Sequence, residues 1–316
     1  MLGPRIPVTE RAQDLHDSSL VLDCHAHFLI HGMAVGRKFH HTHKRPWFYN
    51  PTKSQLDLGS VTRGGVNALA FTSYAAGLPF RRNIGAYTDA IFDRYLEILE
   101  ECQGRVVHCE NPRQIREAAA KGDLASFLTI EGGHVFEGNL ERIEHFYQRG
   151  VRMTTLTHFV SNGIADSCQN PYRPLGGLSP FGREVIAAME RLGMMVDVTH
   201  LSDSAMKQTL ALVTRPPLTS HTALRRYNPT LERNITADTA KEIARGGGLI
   251  GIIFFLRYLG ASGYDMHSPA RHAADLAEMC GAECLCVGRD IDSPIYTPLG
   301  FVDAADWPQF TQALIN

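Results

Sequence analysis

The sequence predicts a (β/α)8 barrel, and two observations carry that expectation. Eight near-continuously apolar runs of strand type recur along the chain, separated mainly by segments of helical periodicity. Strands covered on both faces by helices read this way, whereas half-exposed strands alternate apolar and polar residues. The second observation is where the polar residues fall. His25 and His27, Glu131, His158, His200, His221 and Asp290 all stand at the C-terminal ends of such runs. In a barrel those ends converge on one mouth, where catalytic groups gather. All 316 residues are expected to form one such domain, a common length for α/β barrels.

The first strand lies in Leu20 to Phe28, Leu-Val-Leu-Asp-Cys-His-Ala-His-Phe, after a short surface helix within residues 7–19. Alternate side chains of a strand point the same way, so His25 and His27 project to one side. Residues 29–55, with Gly32, Gly36, Pro46 and Pro51, read as a loop, and His40, His41 and His43 as solvated members of it. The second strand, 66–73, follows Gly64 and Gly65. Ile91, Tyr95, Ile98 and Leu99 give residues 87–102 a helical spacing. Residues 106–108 form a small extra strand, and Pro112 opens a helix over 112–121.

The third strand, 125–131, ends on Glu131. A helix over 139–148 is closed by Gly150, and the fourth strand, 151–156, leads to Thr157 and His158. A helix over 180–192 is closed by Gly193, and the fifth strand, 194–200, ends on His200. Ser202 opens the next helix, and the sixth strand, 217–221, ends on His221. A helix over 236–245 precedes the seventh strand, 248–255. The last pair is a helix over 268–280 and a strand over 283–290 that ends on Asp290.

Composition narrows the function. A hydrophobic content of 44% with 20% charged residues describes a globular chain with a sizeable core. A net charge of -2 argues against nucleic-acid or anionic-membrane partners. No stretch reaches the roughly 20 apolar residues of a membrane span. The N-terminus lacks an apolar segment of signal-peptide length. The seven cysteines follow no pairing pattern; Cys24, Cys284 and Cys286 sit in apolar runs as small hydrophobes. A reducing cytoplasm is the expected location.

The donor count points to the chemistry. Four histidines and one glutamate exceed the needs of one tetrahedral zinc that must keep a position open. They suit two metal ions bridged by Glu131, with His25 and His27 on one and His200 and His221 on the other. Two ions about 3.5–4 Å apart can share a water, lower its pKa and present hydroxide to a carbonyl. Asp290 can take that water's proton and return it to a leaving amine. His158 exceeds the ligand demand and is better placed to polarise the carbonyl oxygen. The expected reaction is metal-assisted hydrolysis of an amide or related bond.

Asp23-Cys-His25-Ala-His27, Ile130-Glu131-Gly-Gly, Leu156-Thr-His158, Asp197-Val-Thr-His200, Ser220-His221, Arg233-Asn234 and Gly288-Arg-Asp290-Ile-Asp292 occur in a telling order. From about residue 18 to 295 the chain resembles the membrane (renal-type) dipeptidases, peptidase family M19. The resemblance implies a binuclear zinc barrel of the amidohydrolase superfamily that hydrolyses dipeptides, often with a D-residue on the C-terminal side. It also implies that Glu131 bridges the zincs, His158 holds the scissile carbonyl and Asp290 serves in proton transfer. Arg233 would take the substrate's terminal carboxylate, a role that suits a guanidinium.

Three features depart from the family. It usually carries His-x-Asp in the first strand, where this chain has His27, so the site is more positive and a divalent metal other than zinc stays open. The segment Gly-Arg-Asp290-Ile-Asp-Ser replaces a glycine-rich one, placing Arg289 to narrow or charge that side of the mouth. The short stretch after Asp290 leaves the outer helical layer looking shortened, with one helix at Trp307–Ile315. The expected partner is a small dipeptide, with a homodimer left open. Two rivals remain. One is an amidohydrolase for another amide or lactam, such as an N-acyl amino acid, which would depend little on Arg233. The other is a catalytically dead barrel used for binding, against which the intact donors count.

Overall fold

The computed structural model describes residues 5–43, 54–74, 83–293 and 295–316. The chain opens with α1 (Glu10–Asp17), β1 (Leu22–Asp23), α2 (Phe28–Val35), α3 (Leu58–Arg63) and β2 (Ala68–Tyr74). There follow α4 (Ile84–Glu101), β3 (Val106–His108), α5 (Pro112–Ala120), β4 (Leu124–Glu131), α6 (Glu141–Gln148) and β5 (Val151–Thr155). Next come α7 (Pro180–Leu192), β6 (Met195–Asp197), α8 (Asp203–Leu210), β7 (Leu218–Thr222) and α9 (Ala237–Arg245). The chain ends with β8 (Leu249–Ile252), α10 (Leu256–Leu259), α11 (His267–Cys280), β9 (Leu285–Val287) and α12 (Trp307–Ile315).

These strands pair in parallel, in the order β1-β2-β4-β5-β6-β7-β8-β9. The ring closes where the Cys24 N–H donates to the Val287 carbonyl at 2.8 Å and a parallel bridge joins Ala26 to Ile291. This is the (β/α)8 barrel the sequence predicts. The extra strand is real and lies outside the ring. β2 runs along one edge of β4 from Ala125 to Glu131. The other edge is divided: β3 takes Leu124–Ser126 and β5 takes Leu128 onward.

Local chemistry explains the helices. Ser179, Asn111, Ser202 and Thr236 each accept an N–H from the first turn of α7, α5, α8 and α9. Pro180 and Pro112 occupy starts where no N–H is needed. Gly193, at φ 81, ends α7 in the left-handed region, as expected. All eight residues of β4 are buried, so its side chains pack on both faces.

Two readings of the sequence need correction. The first strand is only β1, and α2 occupies part of the expected 29–55 loop, with His27 at its N-cap. This helix is apolar nearly all round, and its first residues, Phe28 and Leu29, are buried. Phe28 stacks edge-on to Phe39 with ring centres 4.9 Å apart, and Phe39 meets Phe71 at 5.3 Å. Without a polar face it shows no helical period. Of the loop histidines, His40 pairs with Glu101 at 3.4 Å and His43 with Asp57 at 3.3 Å. Among the described residues, no helix is long and apolar enough to cross a membrane.

Arg289 does not reach the mouth. Its side chain is 1% exposed, and its Nε donates to Asp23 Oδ2 at 2.7 Å. The guanidinium lies 4.4 Å from the Trp307 ring and 5.0 Å from Phe301, so the segment after β9 folds back to cover it. Asp23 also accepts the Arg289 and His25 backbone N–H groups, at 3.1 and 3.2 Å. The pair thus fastens β9 to β1 behind His25. Arg289→Met is expected to cost about 3–5 kcal/mol, because a carboxylate is left buried alone. Urea denaturation measures this, and adding Asp23→Asn should restore much of the loss. An unchanged midpoint would show that the pair does not hold the seam.

Candidate metal centre and active site

The mouth gathers the predicted residues. His25 and His27 leave β1, Glu131 ends β4, His200 follows β6, His221 lies in β7, and Asp290 follows β9. His25 Nε2 lies 3.0 Å from His27 Nε2, and His200 Nε2 lies 3.2 Å from His221 Nε2. Glu131 stands between the pairs. Its Oε1 is 2.9 Å from His200, 3.3 Å from His221 and 3.4 Å from His25; its Oε2 is 3.6 Å from His27. Asp290 Oδ1 is 3.0 Å from His27 Nε2. His158 Nε2 is 3.4 Å from Glu131 Oε2, as near as the expected ligands.

The tautomers follow from the outer contacts. Ser220 Oγ donates to Asp197, so it accepts from His221 Nδ1 at 2.8 Å. His200 Nδ1 donates to the Gln169 amide oxygen. Both Nε2 lone pairs therefore aim inward. Donors sharing a zinc at about 2.0–2.1 Å stand about 3.0–3.4 Å apart when their bonds open between 90° and the tetrahedral angle. The observed separations match, apart from His27–Glu131 at 3.6 Å. Nitrogen lone pairs facing each other around a buried carboxylate repel unless a cation lies among them, so these residues fit divalent metal. They form three overlapping groups: His25, His27 and Asp290; His25, Glu131 and His221; Glu131, His158 and His200.

The backbone is bent to make this set. His200 at φ 68 and Asp290 at φ 60 both sit in the left-handed region, a costly state for such residues that clusters at functional sites. Electrostatics are equally unusual. Burial pushes Glu131 up, but His158, His25 and the His200 and His221 hydrogen bonds outweigh it and hold the carboxylate well below its ordinary range. Burial holds His200 and His221 well below the usual imidazole value and takes His158 to about 4. For His25 burial also pulls down, yet the Glu131 charge prevails and the value rises. Burial, with Glu131 and Asp290 adding to it, raises Tyr74 to about 12, so it stays a neutral phenol.

A cavity of about 410 Å³ opens onto the cluster, lined among others by His27, Tyr74, Glu131, His158, Arg233 and Asp290. Arg233 is 3% exposed. Its Nη2 donates to the His221 carbonyl at 2.8 Å, and its Nε has no partner. Tyr74, Gln169, Phe159 and Tyr258 escape sequence reasoning, because they come from a strand end, loops and the short helix α10, without a readable pattern. Asp197 and Ser220 stand in the sequence only as members of the histidine motifs; in the fold they orient His221.

A parallel barrel whose mouth gathers imidazoles around one buried carboxylate is built to hold divalent metal at its catalytic face. The chain belongs to the membrane dipeptidase family, peptidase family M19, whose model matches residues 9–316. Solved structures share the fold. The probable dipeptidase PvdM from Pseudomonas aeruginosa is 19% identical, with a TM-score of 0.85 over 97% of this chain and 92% of that one. A metallo peptidase from Rhodobacter sphaeroides, liganded with a phosphinate mimic of the dipeptide L-Ala-D-Ala, is 20% identical. Its TM-score is 0.81 over 94% of this chain and 92% of its own. An amidohydrolase from Pseudomonas aeruginosa is 20% identical, with a TM-score of 0.78 over 96% and 91% of the two chains.

Proposed function

We propose that the protein is a binuclear zinc dipeptidase acting on dipeptides with a free C-terminal carboxylate, L-Xaa-D-Xaa members included. The observation that carries this reading is a buried, partly unpartnered Arg233 beside a cluster of metal donors that includes His25, His27, Glu131, His200 and His221. When bound there, two divalent ions supply Lewis acidity and a water acidified enough to attack at neutral pH. Imidazole-rich donors suit zinc. The ligand of the Rhodobacter sphaeroides relative, a mimic of L-Ala-D-Ala, supports the substrate class.

The chain's own residues do the rest. Arg233 grips the substrate's terminal carboxylate, which fixes the scissile carbonyl over the cluster. His158, kept neutral by burial, donates a hydrogen bond to the carbonyl oxygen as negative charge grows there. Asp290 takes the nucleophile's proton and passes it to the departing amine. Water is displaced from a cavity whose walls include Phe159, Phe255, Tyr258 and Ile295.

Metal quantitation on purified protein, with a dipeptide panel including L-Xaa-D-Xaa members, tests the reading. Two ions per chain are expected, with turnover abolished by chelation and restored by zinc. A single ion per chain would sink the bridged site. Turnover of N-acyl amino acids but not dipeptides would favour the amidohydrolase rival.

A further inference from the structure

A second cavity of about 450 Å³ adjoins the first. Phe159, Gln169, Arg233, Arg257 and Tyr258 border both, so the two form one continuous binding space divided at Arg233. The inner part holds the metal donors. The outer part is bounded by Cys168, Thr230, Leu231 and Glu232. For a dipeptide whose carbonyl lies at the cluster and whose terminal carboxylate meets Arg233, the outer chamber is the adjoining space open to a C-terminal side chain.

The charges there are unbalanced. Arg257 is exposed on the wall and pairs with no carboxylate among the described residues. Arg233 likewise gives its closest hydrogen bond to the His221 carbonyl, not to an acid. The one carboxylate of the outer wall, Glu232, is already taken. Arg173 holds it through two nitrogens at 2.9 and 2.5 Å, and it accepts the Asp203 N–H at 2.9 Å. In the inner part, Asp290 faces His27 and Glu131 faces the histidines. Two guanidiniums thus border the outer chamber, neither paired with a carboxylate, while its one wall carboxylate is held by Arg173; such a chamber suits a ligand with more than one negative group.

We infer that Arg257 is a specificity-determining residue that selects dipeptides with an acidic C-terminal residue, aspartate or glutamate. This rests on the dipeptidase reading. The buried Arg233 binds the α-carboxylate that every dipeptide has. The exposed Arg257 binds the side-chain carboxylate that only acidic residues add.

The test uses the zinc-loaded enzyme on Ala-Glu, Ala-Gln and Ala-Lys, each with an L- or a D-residue at the C-terminal position. Glu and Gln differ almost only in charge, so their ratio isolates it. We expect kcat/KM to favour Ala-Glu over Ala-Gln by roughly tenfold at low salt, mostly through KM. High ionic strength should shrink the preference, because Arg257 is exposed. Arg257→Gln should bring the ratio close to one, and Arg257→Glu should turn the preference toward Ala-Lys, a reversal that mere structural damage cannot produce. Equal rates on Ala-Glu and Ala-Gln in the wild type overturn the inference and leave the dipeptidase reading standing. So does a ratio that survives Arg257→Gln. No turnover of any dipeptide overturns both.

Discussion

Asp290→Asn is expected to lower kcat by at least about a hundredfold while the protein keeps two metal ions per chain. The substitution keeps the shape of the side chain and an oxygen near His27, but removes the basic group. Asp290 is held firmly in place. It sits in the left-handed backbone region, and its N–H donates to the His25 carbonyl at 3.2 Å. That bond ties the proposed base to the segment carrying His25. Its Oδ1 stands 3.0 Å from His27 Nε2, the same separation as between His25 and His27. The metal count therefore decides between two roles. If the variant holds one ion, Asp290 is a ligand, and its charge replaces the carboxylate that the family usually has at position 27. If both ions stay and kcat is unchanged, the proton leaves by another route.

The barrel is legible because parallel strands buried on both faces write themselves as apolar runs. The site is legible for the same reason: a histidine or carboxylate ending such a run is conspicuous. His25, His27, Glu131, His158, His200, His221 and Asp290 all stand out that way, and the fold brings them together. What fails to show has physical causes. α2 is apolar nearly all round, so it lacks the two-faced period that marks a surface helix. Arg289 reads as a mouth residue because it neighbours Asp290, but successive side chains near a strand end face opposite ways, and it turns inward to Asp23. Gln169 and Arg257 stand on the segments that connect strands, where nothing in the sequence says which way a side chain points.

Arg233→Met should cost roughly 2–5 kcal/mol in kcat/KM for a free dipeptide and far less for the corresponding dipeptide amide. A two-residue substrate offers few atoms to hold, so its charged ends must carry much of the binding, and a desolvated guanidinium can grip a carboxylate through two parallel bonds. Arg233 is well prepared for this. It is buried, its Nε is unpartnered, and Tyr258 lies under the guanidinium with its ring centre 5.2 Å away. The same residue donates to the His221 carbonyl at 2.8 Å, so methionine also removes a support of His221. That damage falls equally on both substrates. Only the carboxylate contact separates them, which is why the comparison must be made on the pair. A loss confined to the free dipeptide assigns Arg233 to the substrate's C-terminus. Equal losses would make it a prop for His221 and would move the amidohydrolase rival ahead of the dipeptidase.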